Sequence, residues 1–275
     1  MTQVARPGDA IVVRGISTEL WKFYLNYAYF PVAWYTYYPL APDAAPPDAV
    51  LDAPAAAQAL KPESVRLFSE ILPARHARLW HISDQCTDWS FLHLEERWLA
   101  GQFAAGPPRR FEAGPCATLV SPFALATAPA APAARLEWQF GAALRLRGIT
   151  QLTWAEPARL RPGDSLPLRL EWQLSQPAAA DYTLGVYLLD EQGGLKAQYD
   201  SWARGGFLAM THWPLQTSVF DQRSLELPSD LPPGDYQVAV AVYDWQTGQR
   251  LPASEAQAAS PDGLARVLRV SVSAP

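Results

Sequence analysis

Four histidines, two cysteines and scattered carboxylates are the residues on which chemistry would have to be built, and their spacing decides what each can do. His81, Asp84, Asp88 and His93 fall in one short stretch. A divalent cation would sit among them if a strand end and the following helix converged, while a polar loop capping that helix accounts for the same residues. Cys86, five residues after His81, offers a thiolate–imidazole pair, but no orienting third group or oxyanion donor accompanies it. Glu95 and Glu96 are neighbours on a helix and so point about 100° apart, which reads as a solvated face rather than an acid pair flanking a glycosidic bond. Ser17, in Gly15-Ile16-Ser17, is the nearest approach to a nucleophile elbow and is better explained as a helix cap. Neither a dinucleotide fingerprint nor a phosphate-binding loop occurs. The sequence therefore predicts no catalytic residue, no metal and no cofactor for this chain.

Its aromatic residues are more telling. Ten lie among the eighteen residues from Trp21 to Tyr38, and no charge interrupts Phe23 to Pro42. Trp21, Trp34, Tyr35, Tyr37 and Tyr38 either build a core or face a headgroup layer or a sugar ring, since such side chains have one apolar and one polar end. Farther on, Trp202, Trp213 and Trp245 fall in or near loops, where a ring is more available to a ligand. Trp202 is flanked by Asp200 and Arg204 and followed by Gly205-Gly206, as in a mobile loop. Trp213 lies in the same connection, whereas Trp245 sits at a hairpin tip, remote from both. If this part of the chain binds glycan, the expected contacts are Trp202 and Trp213; the competing reading has both rings plugging one end of a β-structure.

These residues need elements to position them. With 275 residues the chain is long enough for two domains, and 49% hydrophobic against 18% charged residues gives each a core. A net charge of −5, with no cluster of Lys and Arg, offers nothing to a nucleic acid. Cys86 and Cys116 leave open one disulfide or two buried thiols. No apolar run is long enough to span a bilayer and no signal peptide opens the chain, so it reads as soluble. A strand close to Met1 suggests a piece of a longer protein.

In the first half strand and helix patterns alternate. Ile11–Val13 reads as a strand, then Leu20, Phe23, Tyr24 and Tyr27 mark a helix, Trp34–Tyr38 a strand, and Pro39–Pro54 a loop. A helix opening at Pro62-Glu63 carries Val65, Phe68, Ile71 and Leu72. Arg78–Ile82 is a strand, a helix bearing Phe91, Leu94, Trp98 and Leu99 follows, and short strands surround Phe111 and Leu119. The alternation predicts a small α/β domain over 1–122 with a partly parallel sheet. An Ala/Pro linker over 123–135 follows. From 136 to 275 the period becomes two: Leu166, Leu168, Leu170, Trp172 and Leu174 alternate with polar residues, as do Tyr182–Leu188 and Tyr236–Val242. Asp190–Gly194 and Asp244–Gly248 supply turns, with Leu195–Tyr199 and Leu264–Val272 as further strands. This half is expected to be an antiparallel β-sandwich of immunoglobulin or jelly-roll kind, and the whole chain a two-domain α+β protein.

The stretches Asp181–Asp190 with Gly193, Gln198-Tyr199-Asp200, Leu231–Tyr236, Val242-Tyr243-Asp244 and Thr247–Pro252 resemble the C-terminal extracytoplasmic β-domain of bacterial polytopic glycosyltransferases related to the protein O-mannosyltransferases. Arg6-Pro7-Gly8-Asp9 and Arg78-Leu79-Trp80 are similar to strand-leading segments that follow the last membrane helix there. The resemblance implies an extracytoplasmic accessory region of a polyprenyl-phosphate-sugar-dependent enzyme. A carbohydrate or glycan acceptor would be its partner, and the parent protein would supply the membrane surface. It carries over no catalytic residue, because the catalytic carboxylate of such enzymes lies in an early membrane-proximal loop. A free-standing carbohydrate-binding or adhesion module, and a hydrolase whose acid pair assembles only in the fold, remain the alternatives.

Overall fold

The structure is a computed structural model and describes residues 8–14, 33–37, 62–84, 94–113, 116–125, 128–129, 134–153, 159–255 and 258–274. It is mostly β, and the chain divides into two compact units, Met1–Ala126 and Thr127–Pro275.

In the first unit, β1 (Ala10–Arg14) lies between two parallel neighbours, β2 (Ala33–Tyr37) and β3 (Arg78–Asp84). Its residues Ala10–Val13 are almost wholly buried, as expected for a parallel strand covered on both faces. Between β2 and β3 runs α1, an α-helical turn Pro62–Arg66 continued by a π-turn Leu67–Ile71, which buries Phe68. Helix α2 (Leu94–Gln102) precedes β4 (Ala104–Ala105) and β5 (Arg109–Ala113). Both strands pair antiparallel with β6 (Cys116–Ala124), and β6 pairs antiparallel with β3. The expected linker begins later than composition indicates, because Phe123, Ala124 and Leu125 are buried and continue β6.

Two of the sequence motifs meet here. Asp9, just before β1, accepts hydrogen bonds from Arg78 Nε (3.0 Å), Arg78 Nη2 (2.7 Å) and Trp80 Nε1 (2.9 Å). The guanidinium also lies 5.0 Å from the Trp80 ring centre. Strands distant in sequence are thereby tied at their starts by a charge-assisted pair of the stronger kind.

The second unit contains two antiparallel sheets. In the first, β8 (Ala134–Phe140), β9 (Leu144–Thr153), β10 (Ser165–Leu174) and β13 (Ser218–Glu226) are consecutive neighbours. The short β7 (Ala128–Pro129) pairs with β9, and β15 (Ala253–Glu255) and β16 (Ala258–Ala259) extend the β8 side. The second sheet has the order β12 (Leu195–Ser201), β11 (Thr183–Leu189), β14 (Gly234–Tyr243), β17 (Ala265–Val272). Alternation explains the core. Leu166, Leu168, Leu170 and Trp172 of β10 meet Leu184, Val186 and Leu188 of β11 and Val238, Val240 and Val242 of β14 in one buried cluster. Turn chemistry matches the sequence: Asp190 Oδ1 accepts from the Gln192 and Gly194 amides, and Asp244 Oδ1 accepts from Gln246. Gly193 and Gly248 take the left-handed conformation that ends each turn.

One polar pair sits inside that cluster. Asp221 and Arg223 occupy core-facing positions of β13, opposite Leu170 and Leu168, and neither is exposed. Arg223 Nε donates to Asp221 Oδ2 (2.8 Å), and its Nη1 donates to the carbonyls of Leu184 (2.7 Å) and Tyr199 (3.4 Å). Nη2 reaches Asp221 Oδ2 and the Trp202 carbonyl (3.5 Å). The guanidinium thus makes four hydrogen bonds and an ion pair. Arg223→Met strands the Asp221 charge and is expected to cost about 3–5 kcal/mol. Arg223→Lys, with three donors, should also destabilise. Urea unfolding followed by tryptophan fluorescence measures both, and a loss below about 1 kcal/mol for the Met variant would show that the pair does not hold the sheets together.

Candidate functional site

Of the residues singled out in the sequence, Trp21, Tyr38, Asp88, His93 and Cys86 lie outside the described residues, and Trp34, Tyr35 and Tyr37 fall on β2 with side chains likewise outside them. Among the described residues no three potential ligands gather for a metal. His81 turns inward, with its Nδ1 3.2 Å from Glu96 Oε1. Ser83 Oγ donates to that same oxygen at 2.9 Å. Burial alone raises the Glu96 carboxyl, but the adjacent His81 imidazole and the bond from Ser83 outweigh it and hold the group below its ordinary range. The solvated face expected at Glu96 is thus corrected: the residue is 1% exposed, because α2 lays it against β3. Sequence gives the helix and the strand but not their packing.

The tryptophans of the second unit require a larger correction. Trp213 is 5% exposed and belongs to the core cluster, with its Nε1 donating to the Leu208 carbonyl at 3.4 Å. Its ring has no free face for a sugar. Trp202 is half-buried, and the loop after it is pinned rather than free. The Arg204 amide donates to Asp221 Oδ1 (2.7 Å), Gly206 N–H to the Trp202 carbonyl and Leu208 N–H to the Ala203 carbonyl. Arg204 therefore contributes its backbone, held at φ 53°. A shared surface of Trp202 and Trp213 does not form. Trp245 is the exposed ring, 63% accessible in the turn leaving β14.

Asp200 stands with two side chains that the sequence reading did not single out. β12, β11 and β14 place Asp200, Tyr187 and Tyr243 on the side of their sheet opposite the main core. Asp200 is aligned with Gly185, and Gly185 with Ala241. Tyr187 Oη donates to Asp200 Oδ1 at 2.9 Å and Tyr243 Oη to the same atom at 3.2 Å. The absent side chain at Gly185 makes this possible, since a Cβ there would lie 2.2 Å from Tyr187 Oη and 2.6 Å from Asp200 Oδ1. Alternation could have found these positions: Gly185 and Tyr187 interleave with the inward Leu184, Val186 and Leu188.

Burial first, and then the Asp200 charge, push the Tyr187 phenol well above its ordinary value and Tyr243 up to about 12. Asp200 Oδ2 accepts no hydrogen bond from the described residues. The arrangement is an oriented carboxylate with one oxygen committed to two phenols and the other available, and an exposed indole two residues beyond one of those phenols. It is suited to accepting hydroxyl donors and to ring stacking. The buried carboxylates Asp9, Glu96 and Asp221 are each held singly against Arg78, His81 and Arg223.

No family model matches the chain, and no curated protein matches it. Among solved structures, the C-terminal domain of wzt aligns with a TM-score of 0.37 at 10% identity, over 54% of this chain and 82% of that one. The CARDB domain of a Pyrococcus furiosus protein in complex with di-metal ions aligns with a TM-score of 0.26 at 12% identity, over 51% of this chain and 95% of that one. A β-glucuronidase from glycoside hydrolase family 2 gives 0.27 at 10% identity, over 53% of this chain and 17% of that one. These likenesses are too distant to establish a shared fold.

Gly185→Ala is expected to push Tyr187 off Asp200 and cost about 1–3 kcal/mol, read by denaturant unfolding. The phenols are neutral when protonated and their folded pKa values are raised. The stability tied to them is therefore complete below pH 10 and lost as pH climbs through about 12. In Asp200→Asn, Tyr243 should ionise earlier in an ultraviolet phenolate titration. The stability gap between native protein and variant should narrow over that window; an unchanged titration would disconnect Asp200 from the phenols.

Proposed function

We propose that the chain is a non-catalytic accessory region that contacts a glycan or glycan acceptor through the outer face of the β12–β11–β14–β17 sheet. We read the second unit as a β-sandwich of immunoglobulin or jelly-roll kind and the first as a small α/β layer. The observation that carries the reading is the 63% exposed Trp245 next to a strand whose Tyr243 shares Asp200 with Tyr187. An indole packs on the apolar face of a pyranose while a fixed carboxylate accepts its hydroxyls, and the carboxylate is positioned before ligand arrives, which lowers the ordering cost of binding.

The parent protein in this proposal is a membrane glycosyltransferase that uses a polyprenyl-phosphate sugar on the extracytoplasmic side. Support comes from the residues that carry the family resemblance: Asp181–Asp190, Gln198–Asp200 and Val242–Asp244 hold Tyr187, Asp200 and Tyr243 respectively. No helix among the described residues is long and apolar enough to cross a membrane, so membrane attachment would come from other parts of the parent. The reading frame upstream of residue 1 is expected to encode apolar helices. A frame without them overturns attachment to a membrane enzyme and makes glycan contact the task of a free-standing module.

Trp245→Ala is expected to weaken glycan binding at least about tenfold on a glycan array and by calorimetry, with an unchanged unfolding midpoint because the ring lies outside the core. Wild-type affinity in the folded variant, or turnover of a lipid-linked sugar by the isolated chain, would overturn the proposal.

A further inference from the structure

Arg266 and Arg269 are three positions apart on β17, a spacing that sends side chains to opposite faces of a regular strand. Here both face away from the core. Val238 pairs with Leu268 but Ala239 with Arg266, so Val267 is an extra residue on β17. Such a bulge re-aims the side chains around it. Val267 stays in the core with Ala265, Val270 and Val272. Gln237, aligned with Arg269, braces the irregularity by donating from Nε2 to the carbonyls of Leu268 (2.8 Å) and Val238 (3.2 Å).

The two arginines line an open groove of about 550 Å³ together with Gln237, Asp235 and the Asp190–Gly193 turn. Most of its charges are already matched. Arg266 is gripped by both carboxylate oxygens of Asp262 (3.2 and 2.8 Å), Asp190 by Lys196 (2.9 Å), and Asp235 accepts from Ser271 Oγ. Arg269 and Glu191 form no hydrogen bond with the described residues and remain as one donor fork and one acceptor. A strong anion would meet Asp190, Glu191 and Asp235, while a cation would meet Arg266 and Arg269. Hydroxyl groups, which donate and accept, use both kinds of partner without an unbalanced charge.

We propose that this groove is a second saccharide subsite, selective for neutral polyhydroxylated residues. The proposal rests on the glycan-contact reading above. Trp245 follows the end of β14 and Asp235 stands at its start, so the two sites mark opposite ends of one sheet face. Along β11 the separation from Gly185, beside Asp200, to Leu189, in the groove wall, is about 13 Å at about 3.3 Å per residue. A single sugar occupies one site; a longer chain bridges both, and the second contact raises affinity through effective concentration.

The test titrates the full chain with linear mannose and glucose oligosaccharides of increasing length, with oligogalacturonate as the charged control. Backbone chemical shifts and calorimetry are the readouts. The neutral series is expected to perturb Gly193, Asp235 and Gln237 as length grows, with affinity rising at least tenfold from the shortest to the longest ligand. Arg269→Ala, at an exposed position without a hydrogen bond to the described residues, should abolish that rise and leave short-ligand binding intact. Trp245→Ala should weaken every length. A rise that survives Arg269→Ala, or groove shifts produced by oligogalacturonate alone, overturns the second subsite while leaving the first. Loss of binding in Arg269→Ala but not in Trp245→Ala overturns the first and keeps the second. No shift anywhere on the outer face with any ligand overturns both.

Discussion

A buried guanidinium sets the geometry of the second unit. Arg223 is withdrawn from water between two sheets, and a charge in that position is tolerated only if a countercharge and hydrogen-bond acceptors meet it. Asp221 supplies the first; the carbonyls of Leu184, Tyr199 and Trp202 supply the rest. Those carbonyls belong to β11, β12 and the loop after β12. One side chain of the first sheet thus fixes the position of the second and of the connection that leaves it. A hydrophobic contact could slide by a rotamer; four directed hydrogen bonds leave little room for that.

This constraint explains the treatment of the tryptophans. With the Trp202–Leu208 loop tied to Asp221 through the Arg204 amide, the chain returns toward the sheets and carries Trp213 into the core. A loop rich in glycine and flanked by charges is consequently a closed corner, and its ring serves packing. The turn after β14 has no such tie to the core, so Trp245 stays in solvent.

On the other side of the same sheet, Tyr187, Leu189, Ala239 and Ala241 form a smaller buried cluster, and polar groups stand around it. Gly185 leaves room for two phenols on one carboxylate, and the β17 bulge turns two arginines outward. Both devices are deviations from regular strand chemistry, and such deviations carry a cost in backbone entropy or in lost ladder bonds. The first unit uses its buried polar residues differently. Asp9 with Arg78 and Trp80 ties the start of β1 to β3, and Glu96 with His81 and Ser83 ties α2 to the strand that precedes it. The described polar groups of the interior thus hold the structure, and those suited to a ligand lie on a sheet face.

Local patterns determined much of this protein in advance. Period-two alternation fixed β10, β11 and β14, and the side-chain acceptors of Asp190 and Asp244 with their following glycines fixed the turns, because these depend on residues within a few positions of one another. The pattern did not disclose β13, where Asp221 and Arg223 stand at core-facing positions and so invert the apolar signal. Nor did it disclose the burial of Glu96, the convergence of Asp200 with Tyr187 and Tyr243, or the exposure of one tryptophan over another. Each of these depends on what lies across a sheet or against a helix, and contacts between residues far apart in the chain exist only once the elements have packed.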